Sequence, residues 1–389
     1  MNNNSQNLIN FLDDLKRNRQ KKLNQHKKNG KIIAGYFCNY TPPEIIEACG
    51  AIPIRILEDM NHSNETQGRK FIQRDSCSFC KSALGSLFKN NNFSCVVSGT
   101  TCDQMRRLHE CISEKVKLPV FLFNNPRTFG KKSTTELFKR EMKWIISELT
   151  DLTKQDYSEE ALSQRIKQWN RLKNFLLKIH FDRQHKNPPI SGKVMFRLIE
   201  TAFFLGPDLF LEYSNKIENI LNRSDKRVGN EPIRLLFAGS ILTSNDDLIL
   251  DLIEENKQAV IVTDNICTGT KWFNFTVEEE GNCLDNIVQT YHKNMICPHR
   301  RPNNPLFDFT KEQIDQWKPD GIIYRTLKFC HPWTFEVQAF KDRFGLPLLH
   351  LDSDYSNSNI GQLRTRIQAF IEMLKSKKET IEANPRIRP

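Results

Sequence analysis

Eight short apolar runs, separated by stretches of helical period, constrain the fold of this chain more than any other feature. Four fall in the first third: Lys31–Tyr36, Ile52–Leu57, Ser94–Ser98 and Leu118–Phe123. Four more follow residue 230: Ile233–Gly239, Ala259–Thr263, Gly321–Tyr324 and Leu348–Leu351. Strands joined through helices pair in parallel, and the helices then cover both faces of the sheet. The expected class is α/β, with two flavodoxin- or Rossmann-like parallel-sheet domains.

Between the two sets, from about Thr134 to Glu218, only helical spacing is found. Leu137, Phe138, Trp144, Ile145 and Leu149 recur at threes and fours, as do Leu162, Ile166, Trp169, Leu172 and Leu176. The expected organisation is an N-terminal helix at 1–30, a first α/β domain at 31–130, a helical insert at 131–230 and a second α/β domain at 231–389. Leu8, Phe11, Leu12 and Leu15 give the leading helix its apolar positions. In the closing helix, from about Asn359, Leu363, Ile367, Phe370, Ile371 and Leu374 share a face that suits packing on the second sheet. Thr41-Pro42-Pro43-Glu44 reads as a helix start, with Thr41 as cap and Glu44 closing a capping box. Capping and a solvated helix face account for Glu44 and Glu47, so neither is assigned to proton transfer.

No apolar core behind a basic segment opens the chain and no run of about 20 apolar residues occurs, so a cytoplasmic protein with no membrane partner is expected. There, eleven cysteines, an odd number, argue for reduced thiols or metal ligands over a disulfide framework. The net charge of +11 points to acidic partners. Much of it sits in Lys16, Arg17, Arg19, Lys21, Lys22, Lys27 and Lys28, which read as the solvated face of the leading helix. No nucleic-acid-binding motif accompanies them, so no nucleic-acid partner is expected.

The cysteines fall in a pattern. Cys77 and Cys80 form a Cys-x-x-Cys, and Cys102 lies just past the strand Ser94–Ser98. Cys38, Cys267 and Cys330 likewise follow predicted strands. In open parallel sheets the carboxyl edge is where ligands bind. Two halves facing each other would bring Cys77, Cys102 and Cys330 to one cleft. Thiolates select zinc, copper(I) or iron–sulfur clusters, and neither a second Cys-x-x-Cys nor paired histidines complete a zinc site. Cys49 and Cys95 lie inside a helix and a strand and read as core, whereas Cys111 and Cys283 have no supporting context. His331, directly after Cys330, is a candidate for a proton carrier, and Cys38 is the other catalytic candidate. No phosphate loop, Gly-x-Gly-x-x-Gly, His-Glu-x-x-His or Gly-x-Ser-x-Gly is present, so ATP, where used, is hydrolysed by another protein.

Several segments in order carry a resemblance. They are Gly35-Tyr-Phe-Cys-Asn-Tyr-Thr-Pro-Pro-Glu44 through Arg55, Cys77 through Gly85, Thr101-Cys-Asp103, Asp264 through Lys271, Asp320 through Tyr324, Lys328-Phe-Cys330 and Asp354 through Glu372. Over roughly residues 30–375 the chain resembles the 2-hydroxyacyl-CoA dehydratase and benzoyl-CoA reductase family. The resemblance implies a 4Fe-4S cluster on Cys77, Cys102 and Cys330, with one iron left open to a thioester carbonyl. It implies radical elimination of water from a 2-hydroxyacyl-CoA through a ketyl, after one-electron activation by a separate ATP-dependent iron–sulfur protein. It also implies an acyl-CoA substrate and a homologous second subunit or a second copy of the chain. The additional thiols Cys38, Cys80, Cys267 and Cys297 match what relatives with a double-cubane cluster need, and Cys38, Cys267 and Cys297 are candidates for a second cubane. Such a protein would be a reductase of small molecules. The alternative outside enzymology is a cluster-free scaffold that binds a partner protein.

Overall fold

The computed structural model describes residues 3–89, 92–222, 231–356 and 358–383. It contains two four-stranded sheets, each entirely parallel. The first is built from β1 (Ile33–Tyr36), β2 (Ile52–Arg55), β3 (Cys95–Gly99) and β4 (Val120–Phe123), in the order β2-β1-β3-β4. The second is built from β5 (Ile233–Gly239), β6 (Ala259–Asn265), β7 (Gly321–Leu327) and β8 (Leu348–Ser353), in the order β6-β5-β7-β8. The two orders are the same. In each sheet the chain steps to one side and then returns past the first strand, which places a switch point between β1 and β3 and another between β5 and β7.

Strand periodicity explains how both faces become buried. Ala34, Tyr36, Cys95 and Val97 enter one apolar cluster, and Ile33, Ile54 and Val96 enter another on the opposite face. The second sheet divides in the same way, with Leu235, Phe237 and Ile323 on one side and Leu236, Ala238, Ile322 and Tyr324 on the other. The helix Ile360–Ala383 buries Leu363, Ile367, Phe370, Ile371 and Leu374 against the second sheet, as its spacing predicts.

Between the sheets run the helices Lys132–Thr153, Glu159–Phe181, Gly192–Leu205, Pro207–Glu212 and Ser214–Asn222. Residues 223–230, where the sequence marks a boundary, lie outside the described residues. The leading helix, Asn3–Lys28, buries Leu8, Ile9, Leu12, Leu15 and Leu23. Its basic residues are not all on a solvated face. Lys16 is largely buried and pairs with Glu58 at 2.9 Å and Glu200 at 3.2 Å.

The expected capping box at Thr41 is not formed. The helix runs Pro43–Ala48 after Pro42, and the Thr41 hydroxyl donates to the Phe37 carbonyl at 2.9 Å. Glu44 is thereby free of the helix end, and its carboxylate is fully buried elsewhere.

The Cys-x-x-Cys helix, Ser78–Lys89, crosses the short helix His62–Gly68 at backbone contact. A Cβ on Gly85 would collide with the Asn64 carbonyl, and one on Gly68 with the Lys81 carbonyl. Only glycine admits this approach, which sets where Cys77 and Cys80 stand. Gly85→Val is expected to lower stability by about 3 kcal/mol through overpacking. Gly361→Ala, at a helical position with open space around it, should change stability by less than about 1 kcal/mol, so the two midpoints in urea unfolding should separate clearly.

Candidate metal centre

Loops at the carboxyl edges of the two sheets converge, and they carry sulfur. Cys77 immediately precedes the helix Ser78–Lys89, and its N–H donates to Gln104 Oε1 at 3.0 Å. Cys102 follows β3 as N-cap of the helix Asp103–Cys111. Cys330 follows β7 as N-cap of the turn His331–Thr334. The Ser78 N–H donates to the Lys328 carbonyl at 3.2 Å, which fastens the Cys77 loop of one half to the Cys330 loop of the other. The Cys77 thiol interacts with those of Cys330 and Cys80. Cys80 in turn lies within electrostatic reach of Cys102 and Cys330, with its Sγ 3.9 Å from Met105 Sδ.

A second group stands beside the first. Cys38 interacts with Cys267, and Cys297 with both Cys267 and Cys38. Cys102 borders both groups, feeling Cys330 on one side and Cys38 and Cys297 on the other. Two of the loops are held in conformations that disfavour side chains: Cys38 has φ 56° and Phe329, just before Cys330, φ 64°. Each costs about 1 kcal/mol or more, which the surrounding packing must over-determine.

Burial raises the thiol of Cys102, to about 12, and that of Cys297, also to about 12. Cys38 is raised as well, by burial first and by Cys267 second. The Cys330 thiol is pushed up by its interaction with Cys77 and then by burial. At Cys77 the interaction with Cys330 pulls the value down, but the Cys80 thiol and burial outweigh it. Without a metal these groups are neutral thiols.

The cations around them are less easily satisfied. Lys271 is fully buried, its Nζ has no hydrogen-bond partner, and it rests 4.1 Å from the centre of the Trp333 ring while acting on Cys297. Arg55 is buried 4.4 Å over Phe203. One guanidinium nitrogen donates to the Cys267 carbonyl at 3.3 Å, but Nε and Nη2 are unpartnered. Tyr36 and Tyr40 hydroxyls, the amides of Asn39 and Asn125, and Ser98 Oγ are also buried without partners at the strand ends. A buried cation without an anion is costly, and a buried polar group without a partner costs about 1–3 kcal/mol. Soft sulfur ligands beside uncompensated positive charge suit a negatively charged thiolate–iron cluster. Among the described residues no three His, Cys, Asp or Glu side chains are placed to hold one metal ion. In an inorganic cluster the separate irons each take one thiolate.

The remaining cysteines lie apart from this chamber in role. Cys49 and Cys95 are fully buried in the first half's core, as their positions predict, and Cys111 donates to the Phe71 carbonyl. His331 is exposed, its ring 6.1 Å from the exposed Phe335. Sequence reasoning passed over Arg55 and Lys271. Each is a lone basic residue, Arg55 at a strand end and Lys271 in the short helix Thr270–Phe273, where such residues are usually solvated.

The chain matches the family model described as 2-hydroxyglutaryl-CoA dehydratase, D-component, over residues 38–374. It is 27% identical to the putative dehydratase subunit YjiM of Escherichia coli (strain K12), over 90% of this chain and 93% of that protein. It is 22% identical to the (R)-phenyllactyl-CoA dehydratase beta subunit of Clostridium sporogenes, over 95% of this chain and 100% of the relative. It is 20% identical to a benzoyl-CoA reductase subunit of Thauera aromatica, over 89% of this chain and 91% of that relative. With a match that covers seven of the eight strands and every cysteine of the chamber, the chain belongs to the 2-hydroxyglutaryl-CoA dehydratase D-component family.

Proposed function

We propose that this chain is an iron–sulfur subunit of its family that holds two cubanes in one chamber and reduces a small molecule at low potential. Cys77, Cys102 and Cys330 are the ligands of the first cubane, with Cys80 beside them, and Cys38, Cys267 and Cys297 are those of the second. The observation that carries this reading is the convergence of two thiol groups, each drawn from both halves of the chain, around buried cations that lack anions. Clusters of this kind, when bound, supply single electrons at low potential.

The chain's own residues then divide the work. Arg55 and Lys271 offset the negative charge of thiolates and sulfide, and the rings of Phe203 and Trp333 keep water from those cations. The unpartnered hydroxyls and amides of Tyr36, Tyr40, Asn39 and Asn125 are donors for sulfide or for a polar substrate. The sequence carries no phosphate loop, so in this reading ATP hydrolysis falls to a separate activator that delivers one electron at a time. A homologous subunit or a second copy completes the assembly, as the relatives named beta subunits suggest.

The relatives named as dehydratases favour a second reading. There a single cluster on Cys77, Cys102 and Cys330 serves radical dehydration of a 2-hydroxyacyl-CoA, and Cys38, Cys267 and Cys297 are packing.

Iron and sulfide analysis after anaerobic reconstitution separates the readings. The two-cubane protein should hold about eight iron per chain and Cys267→Ala about four. About four in the parent protein, unchanged by Cys267→Ala and lost in Cys102→Ala, selects the dehydratase reading. A folded chain without iron leaves only the partner-binding scaffold. A second expectation concerns charge. Lys271→Met removes an unpartnered buried cation, so the metal-free chain should gain about 1–3 kcal/mol in urea unfolding. The loaded chain should lose iron faster to a chelator, and a metal-free variant no more stable than the parent would contradict the role given to Lys271.

A further inference from the structure

Glu44, which helix capping accounts for at the level of sequence, is fully buried and bonded to two other fully buried titratable groups. Tyr291 Oη lies 2.9 Å from one Glu44 carboxylate oxygen and 2.7 Å from the other. Lys173 Nζ stands 3.5 Å from Glu44 Oε1 and 3.5 Å from Tyr291 Oη. All three have relative exposures of 1% or less. They come from three separate parts of the chain: the helix Pro43–Ala48, the helix Glu159–Phe181 and a π-helical turn at Gln289–Lys293. Single π-helical turns are costly insertions that recur at functional sites.

This set differs from a purely structural ion pair in its hydrogen bonds. The two short contacts of the tyrosine oxygen have one hydroxyl hydrogen between them, and both lysine contacts exceed the usual N–H···O range. With one hydroxyl hydrogen for two carboxylate oxygens, the Glu44 carboxylate keeps an acceptor position open to one more proton. Burial favours the neutral form of Lys173 and the charge of Glu44 opposes it. The phenol of Tyr291 is held far above its ordinary range, by burial first and by Glu44 second, and stays protonated.

The set connects in two directions. Toward the chamber, Tyr291 acts on Tyr36 and Arg55, and Arg55 acts on Cys267 and Cys38. The Tyr36 hydroxyl is buried there without a partner. Toward the outside, half-buried Glu47 lies one helical turn from Glu44 and accepts from Trp169 Nε1 at 2.9 Å. Glu47 faces Arg165, Asp208, Arg19 and Glu44, and burial, partly countered by Arg165, raises its carboxyl to about 7. It therefore exchanges protons near neutral pH.

We propose that Glu44, Lys173 and Tyr291 form a proton store, filled from solvent through Glu47, that takes up one proton when the thiol chamber receives an electron. The inference rests on the redox reading above. The electron comes from the activator protein, and the proton enters from water at Glu47. When the electron leaves for the substrate, the stored proton returns to water through Glu47, so charge balances at each stage. Glu44 and its two partners are positioning residues in this scheme.

The test is proton uptake during chemical reduction of the iron-loaded chain, followed with an indicator dye in weak buffer, with iron and sulfide measured on the same sample. The parent protein should take up about one proton per electron. Glu44→Gln and Tyr291→Phe should take up less than about a fifth of that, and Glu44→Asp should restore it. Glu47→Gln should leave the ratio unchanged and slow uptake about tenfold or more. Normal iron with no uptake in the parent, or undiminished uptake in folded, loaded Glu44→Gln or Tyr291→Phe, overturns the store alone. A parent protein without iron overturns the redox reading and this inference together. Should Glu44→Gln fail to fold, Tyr291→Phe and the rate in Glu47→Gln decide.

Discussion

Parallel strands send every carboxyl end to the same edge, and the structure of this chain follows from having two such edges face each other. Cys38 and Cys102 follow β1 and β3, which flank the switch point of the first sheet, while Cys267 and Cys330 follow β6 and β7 of the second. Because the strands cannot reverse without changing the helical crossovers, the sulfur atoms cannot be dispersed without changing the fold. The bond from Ser78 N–H to the Lys328 carbonyl then holds the two edges together at the first thiol group. Packing beneath this arrangement is correspondingly rigid, down to the glycines that let the Cys-x-x-Cys helix touch its neighbour.

The chamber so formed is electrostatically incomplete. Some buried charges elsewhere meet carboxylates, as Arg325 meets Asp246 at 2.6 Å and Lys81 meets Glu65 at 3.1 Å, and the buried Arg183, Arg234 and Arg300 donate to backbone carbonyls. Arg55 and Lys271 meet no carboxylate among the described residues, although both are buried. Folding tolerates such a deficit where something else provides the missing charge, since desolvating a lone cation outweighs the ring contacts it gains. The thiols are neutral by themselves, so an inorganic core that converts them to thiolates would remove the deficit at both cations. Arg55, which acts on Cys38 and Cys267, also acts on Tyr36, and Tyr36 in turn feels Glu44; the proposed proton store uses this coupling.

Much of this was legible in the sequence because it is local. Period two and period 3.6 mark the strands and helices, and the residue after a strand is at its carboxyl edge whatever the partner strand. Hence Cys38, Cys102, Cys267 and Cys330 could be placed on loops, and Cys49 and Cys95 in the core, from spacing alone. The order of the segments from Gly35 to Glu372 was a second, independent signal for the family.

What tertiary structure decided was every relation between groups far apart in the chain. Thr41-Pro42-Pro43-Glu44 has the local form of a capping box, yet the Thr41 hydroxyl turns to Phe37 and Glu44 turns inward to Tyr291 and Lys173. Nothing within one helical turn of Glu44 announces partners 129 and 247 residues away. The same holds for Cys297, which follows no strand and meets Cys38 only through the docking of the two halves. Local pattern determined the elements and the edge at which chemistry collects, because backbone geometry fixes those directly. Which charges and thiols meet across that edge was decided by how two sheets and five intervening helices pack, for which short-range periodicity carries no signature.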